Sequence, residues 1–538
     1  MSAPPSATRL LLLPRRRRPP VLLPLLVLAV VAVVWIVLAT ALEGRHLLPQ
    51  PWELAIQLRA DLPLLLANLP PTLGVAARGF LAGVAAVIPL AVIAILAPPL
   101  EPVVQRIAIV VHVIPFVAIA PILIVALPGD SARVVIAALQ VYFPLLIGLL
   151  LGLRSTDERA LDVVTVAGGG EVSRLRFVRL ASALPSLVSG LQIAVPAAIL
   201  GALISEFFGA DRGLGAILVN AQDSLLTERV WVVALSIGAV AAAGYGLITL
   251  LARLIVPWAG RGSSVAASVA GAEQAVLRPW QSAAGAVSSA VLLIGFWASL
   301  RPVFGFDAFF VKDPAEILRF LVEGNPLTGA PAAAFWEVFA SSIGVTAVHA
   351  SVGFVVGTTI AVAAAVLLVA VPGLERAVMP LAVVLRSIPL VALTPLVVLV
   401  FGRDLVGVTV LVTLVTFFPT LVTVIMGLRA APEGALDVIR ASGGSGLTAA
   451  RRVRLLYAVP AITASARVAV PAAVAGATLA EWLATGDGLG QLLTLSSVQA
   501  DYFTLWSGGV LLVLIVLALY AVIGTVDRIV SRVLGIRA

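Results

Sequence analysis

Residues 152–170 read GLRSTDERALDVVTVAGGG, and residues 427–445 read GLRAAPEGALDVIRASGGS. The match extends without a gap from 152–215 to 427–490 at a constant offset of 275, with 27 of 64 positions identical. Arg154 answers Arg429, Asp162 answers Asp437, and Gly168-Gly169 answers Gly443-Gly444. Arg179, Pro185, Glu206 and Gly213-Leu214-Gly215 recur as Arg454, Pro460, Glu481 and Gly488-Leu489-Gly490. An apolar background does not align its Arg, Asp, Glu, Gly and Pro by chance. The chain is two copies of one module.

Composition sets the solvent of that module. Hydrophobic residues are 61% of the 538 and charged residues 12%, against about 25% charged in soluble domains. Many apolar runs reach the roughly 20 residues that cross a bilayer. They are continuously apolar rather than alternating, so they read as helices and not barrel strands. There is no cysteine, which excludes disulfides and thiolate metal sites. The pI near 10.8 reflects arginines at the ends of apolar runs, as membrane topology requires, and not a nucleic-acid surface.

The expected fold is all-α and integral to a membrane, with about twelve spans in two parallel six-helix repeats. The first-half spans fall near 21–42, 71–97, 103–127, 132–152, 185–208 and 230–254. Those of the second half fall near 281–301, 340–370, 379–401, 405–427, 461–483 and 506–527. The expected division is a basic cytoplasmic N-terminus at 1–20, a first module at 21–260, a linker at 261–278 and a second module at 279–538. The four arginines 15–18 precede an apolar run too long for a signal peptide, so the first span is read as uncleaved. Loops expected inside hold Arg154, Arg159, Arg174, Arg176 and Arg179, then Arg429, Arg440, Arg451, Arg452 and Arg454. Outer loops hold fewer, such as Arg45, Arg212, Arg301, Lys312 and Arg403. Both termini are therefore expected in the cytoplasm. Pro51-Trp52-Glu53-Leu54 and Pro314-Ala315-Glu316-Ile317 each start a helix, expected to be short and interfacial. Ile114-Pro115 and Pro121 pair with Ile388-Pro389 and Pro395 at an offset of 274, and Phe143-Pro144 pairs with Phe418-Pro419, so kinks are expected inside spans.

The longest inner loops, 154–184 and 429–459, read as a short helix, a glycine break and a basic amphipathic helix. They resemble the coupling loop of binding-protein-dependent ABC importer permeases, whose pattern is Glu-Ala-Ala, three residues, Gly, about nine residues, then Ile-x-Leu-Pro. Asp162-Val163-Val164 with Gly168, and Asp437-Val438-Ile439 with Gly443, take the matching places. With Pro185, Glu206, Gly213-Leu214-Gly215 and the span prolines, the chain is similar to the nitrate/sulfonate/taurine branch of those permeases, through most of both halves. It departs from the pattern too. Asp replaces Glu in both copies, β-branched residues replace the alanines, and Ala181 and Leu456 stand where proline is expected.

The resemblance implies a type I importer-like permease of a bacterial plasma membrane, moving a small solute inward. Asp162, Gly168, Gly169, Arg179, Pro185, Asp437, Gly443, Gly444, Arg454 and Pro460 would form the loops that couple to ATPases. It implies two ATP-binding-cassette subunits carrying ATP and Mg, and an extracytoplasmic binding protein. The substrate branch points to a sulfonate, nitrate or similar anion. The chain is not expected to be an enzyme or to bind a cofactor itself. A P-loop needs a lysine after its glycines, and the only lysine lies in Val311-Lys312-Asp313.

Glu206 and Glu481 fall near the outer ends of the fifth spans. Ionisable residues at membrane depth are candidates for the translocation path or its gate; the expected role is a cap on the Gly-Leu-Gly turn that follows. His112, His349 and Arg386 lie in or beside spans, and His46 in an outer loop. Three histidines without partners make no metal site. A twelve-span secondary transporter is the alternative. It would need intramembrane ionisable groups and has no need of twin glycine loops in register.

Overall fold

The computed structural model describes residues 22–41, 48–113, 116–256, 279–371, 373–375, 378–379 and 390–533. The basic N-terminus, the 261–278 linker, Ile114-Pro115, Ile388-Pro389, Arg386, Arg45 and His46 lie outside these. Among the described residues there is helix and no strand. The first half holds α1 (Leu22–Ala41), α2 (Pro51–Leu96), α3 (Glu101–Val113), α4 (Phe116–Ala126), α5 (Ser131–Arg154) and α6 (Glu158–Val166). It closes with α7 (Glu171–Glu206), α8 (Leu214–Asp223) and α9 (Thr227–Ile255). The second half repeats the order: α10 (Pro279–Phe304), α11 (Pro314–Glu323), α12 (Ala332–Ala370), α13 (Leu390–Phe401), α14 (Leu405–Arg429) and α15 (Glu433–Ala441). Then come α16 (Gly446–Thr485), α17 (Gly488–Val498) and α18 (Tyr502–Val533).

Nine of the described helices are long and apolar enough to cross a membrane. The other expected spans are α1 and the two third spans, of which the described residues cover α3 and α4 in the first half and α13 in the second. The interfacial helices resolve differently in the two halves. Pro314 starts the separate α11, capped by Asp313 and Glu316. Pro51 instead starts α2, one helix of 46 residues with a Gln50–Glu53 capping box and four internal prolines. At 1.5 Å per residue α2 is about 69 Å long, more than twice the roughly 30 Å hydrocarbon core. The expected short helix of the first half is thus the projecting end of its second span. The second half breaks at 324–331, where Gly324 takes φ +106.

Within each half the core is a stack of three helices, α2–α5–α7 and α12–α14–α16. The first contact is set by paired small residues. A Cβ on Gly79 or Gly83 would overlap Ala137 or Val141, and one on Gly353 or Gly357 would overlap Val412 or Thr416. Lipid gives helices little hydrophobic reason to associate, so close backbone approach supplies the packing. The first and sixth spans meet through tryptophan: Trp35 lies 5.3 Å from Trp231, and Trp297 stacks on Trp506 at 5.5 Å. Trp35 and Trp297 also donate to the carbonyls of Pro49 and Lys312 just before α2 and α11.

The halves are joined by exchange. Ile122 of α4 belongs to the second-half core with Leu489, Leu493 and Trp506. Val391 and Leu396 of α13 belong to the first-half core with Leu214 and Val230. The described part of each third span therefore packs on the other copy.

Candidate functional site: twin loops and buried turn carboxylates

The matched loops lie at the same end of their respective halves, between α5 and α7 and between α14 and α16. Helix α6 begins where Asp157 Oδ1 accepts the Arg159 N–H at 3.0 Å. It ends in a Schellman turn: the Gly168 N–H donates to Thr165 O at 2.9 Å and the Gly169 N–H to Val164 O at 2.8 Å. The turn needs a left-handed residue, and Gly168 takes φ +81. In α15 the same bonds run from Gly443 to Arg440 (3.0 Å) and from Gly444 to Ile439 (2.9 Å), with Gly443 at φ +74. Gly169 and Gly444 are needed for space, because a Cβ there would overlap Val164 or Ile439. In both copies the chain then passes through a π-helical turn, Leu175–Arg179 and Ala450–Arg454, before running into the span. Such turns often mark functional positions.

The paired loop residues differ in their partners. Asp437 accepts from Arg440 Nη1 at 2.8 Å. Asp162 has Thr165 at the equivalent place, and that threonine takes Arg174 Nε at 2.9 Å. Arg179 pairs with Glu171 at 3.6 Å, whereas Arg454 Nη1 donates to Leu428 O at 3.2 Å. Pro185 and Pro460 sit one turn into the spans, and Ser189 and Thr463 bond their carbonyls at 3.0 Å in both copies. Apolar side chains on the loops stand in the open: Val163 is 69% exposed, Val166 89% and Val438 64%.

At the opposite end, Glu206 and Glu481 are 3% and 0% exposed. The Gly213-Leu214-Gly215 turn closes over Glu206, whose Oε2 accepts the Gly215 N–H at 2.7 Å. Glu481 Oε2 takes the Gly490 N–H at 2.9 Å and the Thr346 hydroxyl at 2.8 Å. A Cβ on Gly213 (φ +128) or Gly488 (φ +78) would overlap the carboxylate beneath it. The turns are tied further by Leu214 N–H to Thr72 Oγ1 and Leu489 N–H to Thr346 Oγ1, both 2.9 Å. The carboxylates replace the turns' missing side chains, and the second copy adds a partner: His349 Nδ1 lies 3.0 Å from Glu481 Oε1. Val75 holds that place in the first copy. His112 stacks on Phe143 at 3.9 Å.

Sequence reading missed Thr72 and Thr346, and it left His349 unassigned. The 274 offset already visible in the third-span prolines links Thr72 to Thr346 and would have found them. It also missed that Phe208, two residues past Glu206, stacks on Trp482 of the other copy at 4.4 Å. That contact is between copies and leaves no trace in the repeat.

Comparison with known proteins agrees with the doubling. The model of the family described as the binding-protein-dependent transport system inner membrane component matches residues 88–261 and again 357–535. A probable ABC transporter permease of Haemophilus influenzae is 30% identical over 207 residues, covering 38% of this chain and 84% of that protein. A formylaminopyrimidine transport permease of Halalkalibacterium halodurans is 28% identical over 241 residues, 44% of this chain and 95% of its own. A putative aliphatic sulfonates transport permease of Bacillus subtilis is 24% identical over 239 residues, 44% and 86% respectively. Each relative is spanned almost entirely by less than half of this chain. No solved structure matches it.

Proposed function

The chain belongs to the binding-protein-dependent transport system inner membrane component family and carries its module twice, and from that premise we propose that it is the whole membrane pair of an ABC importer. Such permeases work with ATPases and a substrate-binding protein; here one chain would seat two ATPase subunits, one under each loop, and one binding protein on the opposite face. The loop end would face the cytoplasm and both termini would lie there. The modules would run 21–260 and 279–538, joined by 261–278.

The observation that carries this reading is the shared geometry of the two loops. Two helices of nine residues each, closed by the same turn and followed by the same π-helical turn, present exposed valines at matching positions. Apolar side chains in the open on a short rigid helix suit insertion into a groove on a partner. Asp162, Gly168, Gly169, Arg179 and Pro185, with Asp437, Gly443, Gly444, Arg454 and Pro460, would hold those helices on the spans. ATP-driven closure of the two ATPases would then rock the halves as rigid bodies. Glu206 and Glu481 would hold the turns at the far end of the helices that transmit this motion. The solute would be a small sulfonate or similar anion, a reading supported by the sulfonate permease among the relatives.

Native mass of the complex, purified in lipid, tests the stoichiometry: the expected particle holds one copy of this chain and two ATPases. Two copies of this chain per ATPase pair would overturn the reading of the chain as a complete pair. Transport driven by an ion gradient, with no ATPase retained, would overturn the importer reading itself.

A further inference from the structure

The end of the first half that lies away from the loops contains a cavity of about 500 Å³, lined by residues that include Arg78, Asp130, Arg133, Glu206, Asp211 and Arg212. That volume is within the roughly 300–1,000 Å³ of small-molecule sites. Three guanidiniums reach it from three separate elements: α2, α5 and the turn before α8.

The carboxylates do not balance them evenly. Asp130 is shared, with Arg78 Nη2 at 2.9 Å and Arg133 Nη1 at 2.9 Å. These contacts, Arg78's hydrogen bond first, hold its carboxyl below the ordinary carboxylate value. Glu206 is engaged by its own turn through the Gly215 N–H. Arg212 is exposed and has no ion pair among the described residues. Asp211 beside it offsets one charge. The three carboxylates match the three guanidiniums in number but not in place: Arg212 keeps its planar donors free of an ion pair among the described residues, and such donors suit the oxygens of a small anion.

The second half shows that the fold does not require this arrangement. Arg78, Arg133, Asp211 and Arg212 have Val352, Val408, Gly486 and Asp487 in their places. Asp404 precedes α14 as Asp130 precedes α5, and it serves as an ordinary helix cap, its side chain accepting the Val406 N–H at 3.2 Å. Asp130 makes no cap bond to its helix and is turned to the two arginines instead. A residue that caps in one copy is drawn into a charge cluster in the other.

We propose that this cavity is a binding site for a small oxyanion, a sulfonate, sulfate or carboxylate group, present in the first half only. That the oxyanion belongs to the transported solute rests on the importer reading; binding at the site does not.

The test uses the full chain with its ATPases in nanodiscs of zwitterionic lipid at low salt, with radiolabelled sulfate as the probe in equilibrium dialysis. Saturable binding of one sulfate per chain is expected. Arg133→Gln with Arg212→Gln should weaken it by about tenfold or more, the loss of charge-assisted bonds. Asp130→Asn, which removes the competing carboxylate, should tighten it. No saturable binding, or unchanged binding in the double variant, overturns the site. Should the double variant fail to assemble, Asp130→Asn decides alone, and unchanged or weaker binding overturns the proposal. A second arm in anionic-lipid nanodiscs separates the sources: sulfate binding that survives there supports a soluble oxyanion, and binding competed away supports a lipid headgroup phosphate at the same site. ATPase stimulation is read on the same samples, so its absence with sulfate binding intact counts against the importer reading and not against the site.

Discussion

The two ends of this molecule have been treated differently by the duplication. At the loop end, α6 and α15 have the same length, the same closing bonds and glycines within 7° of the same φ. At the opposite end the Gly-Leu-Gly turn, its threonine and its carboxylate are shared, but places around them differ. Val75 corresponds to His349, Arg133 to Val408, and one unbroken α2 stands where α11 and α12 are separate. The core helices between the two ends pack alike in both copies, so the divergence is not a general loosening. One end is held to a shared geometry, as expected if both loops meet the same kind of partner. The other is free to become two different surfaces, which separately encoded identical modules cannot do.

The largest effect should come from removing the symmetry at the loops. Gly169→Ile or Gly444→Ile forces a side chain into occupied space next to a left-handed residue, a strain of about 1–3 kcal/mol. Transport and ATPase stimulation should drop by roughly tenfold or more, while the chain still inserts in the membrane. The two single variants should be equally impaired. A severe Gly169→Ile variant beside a normal Gly444→Ile variant would show that the loops serve unlike partners.

The next effect tests the end that diverged. Glu481→Ala strands the Gly490 N–H, the Thr346 hydroxyl and His349 in a buried place, at about 1–3 kcal/mol for each group left unpaired. Glu206→Ala strands fewer partners. The melting temperature of the purified chain should therefore fall further for Glu481→Ala. Gln at either position keeps an acceptor for the turn, and transport should change little. A severe transport defect in Glu206→Gln with the complex assembled would move both carboxylates from turn support into the solute path.

The smallest effect is a graft. His349→Val gives the second copy the residue of the first, and Glu481 keeps Gly490 and Thr346. The melting temperature should shift by only a few degrees, for a loss of about 1 kcal/mol. A collapse as large as that of Glu481→Ala would mean that the histidine, and not the turn, holds the carboxylate.

The internal repeat made much of this legible. Identity at one offset revealed two modules, and apolar length revealed the spans. The pairing of Asp162, Gly168 and Gly169 with their copies singled out the loops before any coordinates. The rest was hidden for physical reasons. Whether Pro51 starts a separate helix or the tip of α2 depends on the chain that follows, and proline favours a helix start in both cases. The Thr346–His349–Glu481 cluster joins positions more than 130 apart in the chain. The arginine cavity was invisible because it exists in one copy, and a comparison of repeats weights what both copies share.

The exchanged third spans impose an order on biogenesis. A ribosome adds about 5–20 residues per second. The first half, ending at Ile255, is therefore complete roughly 7–27 s before α13 is made and roughly 12–50 s before α18. During that interval the face of α4 around Ile122, and the seat that Val391 and Leu396 will fill, have only lipid or the insertion machinery against them. The nascent first half is an unfinished protein in the bilayer, and its partner arrives on the same thread. Joining the modules in one chain shortens that wait to the time of translation, where two separate chains would have to find each other by diffusion.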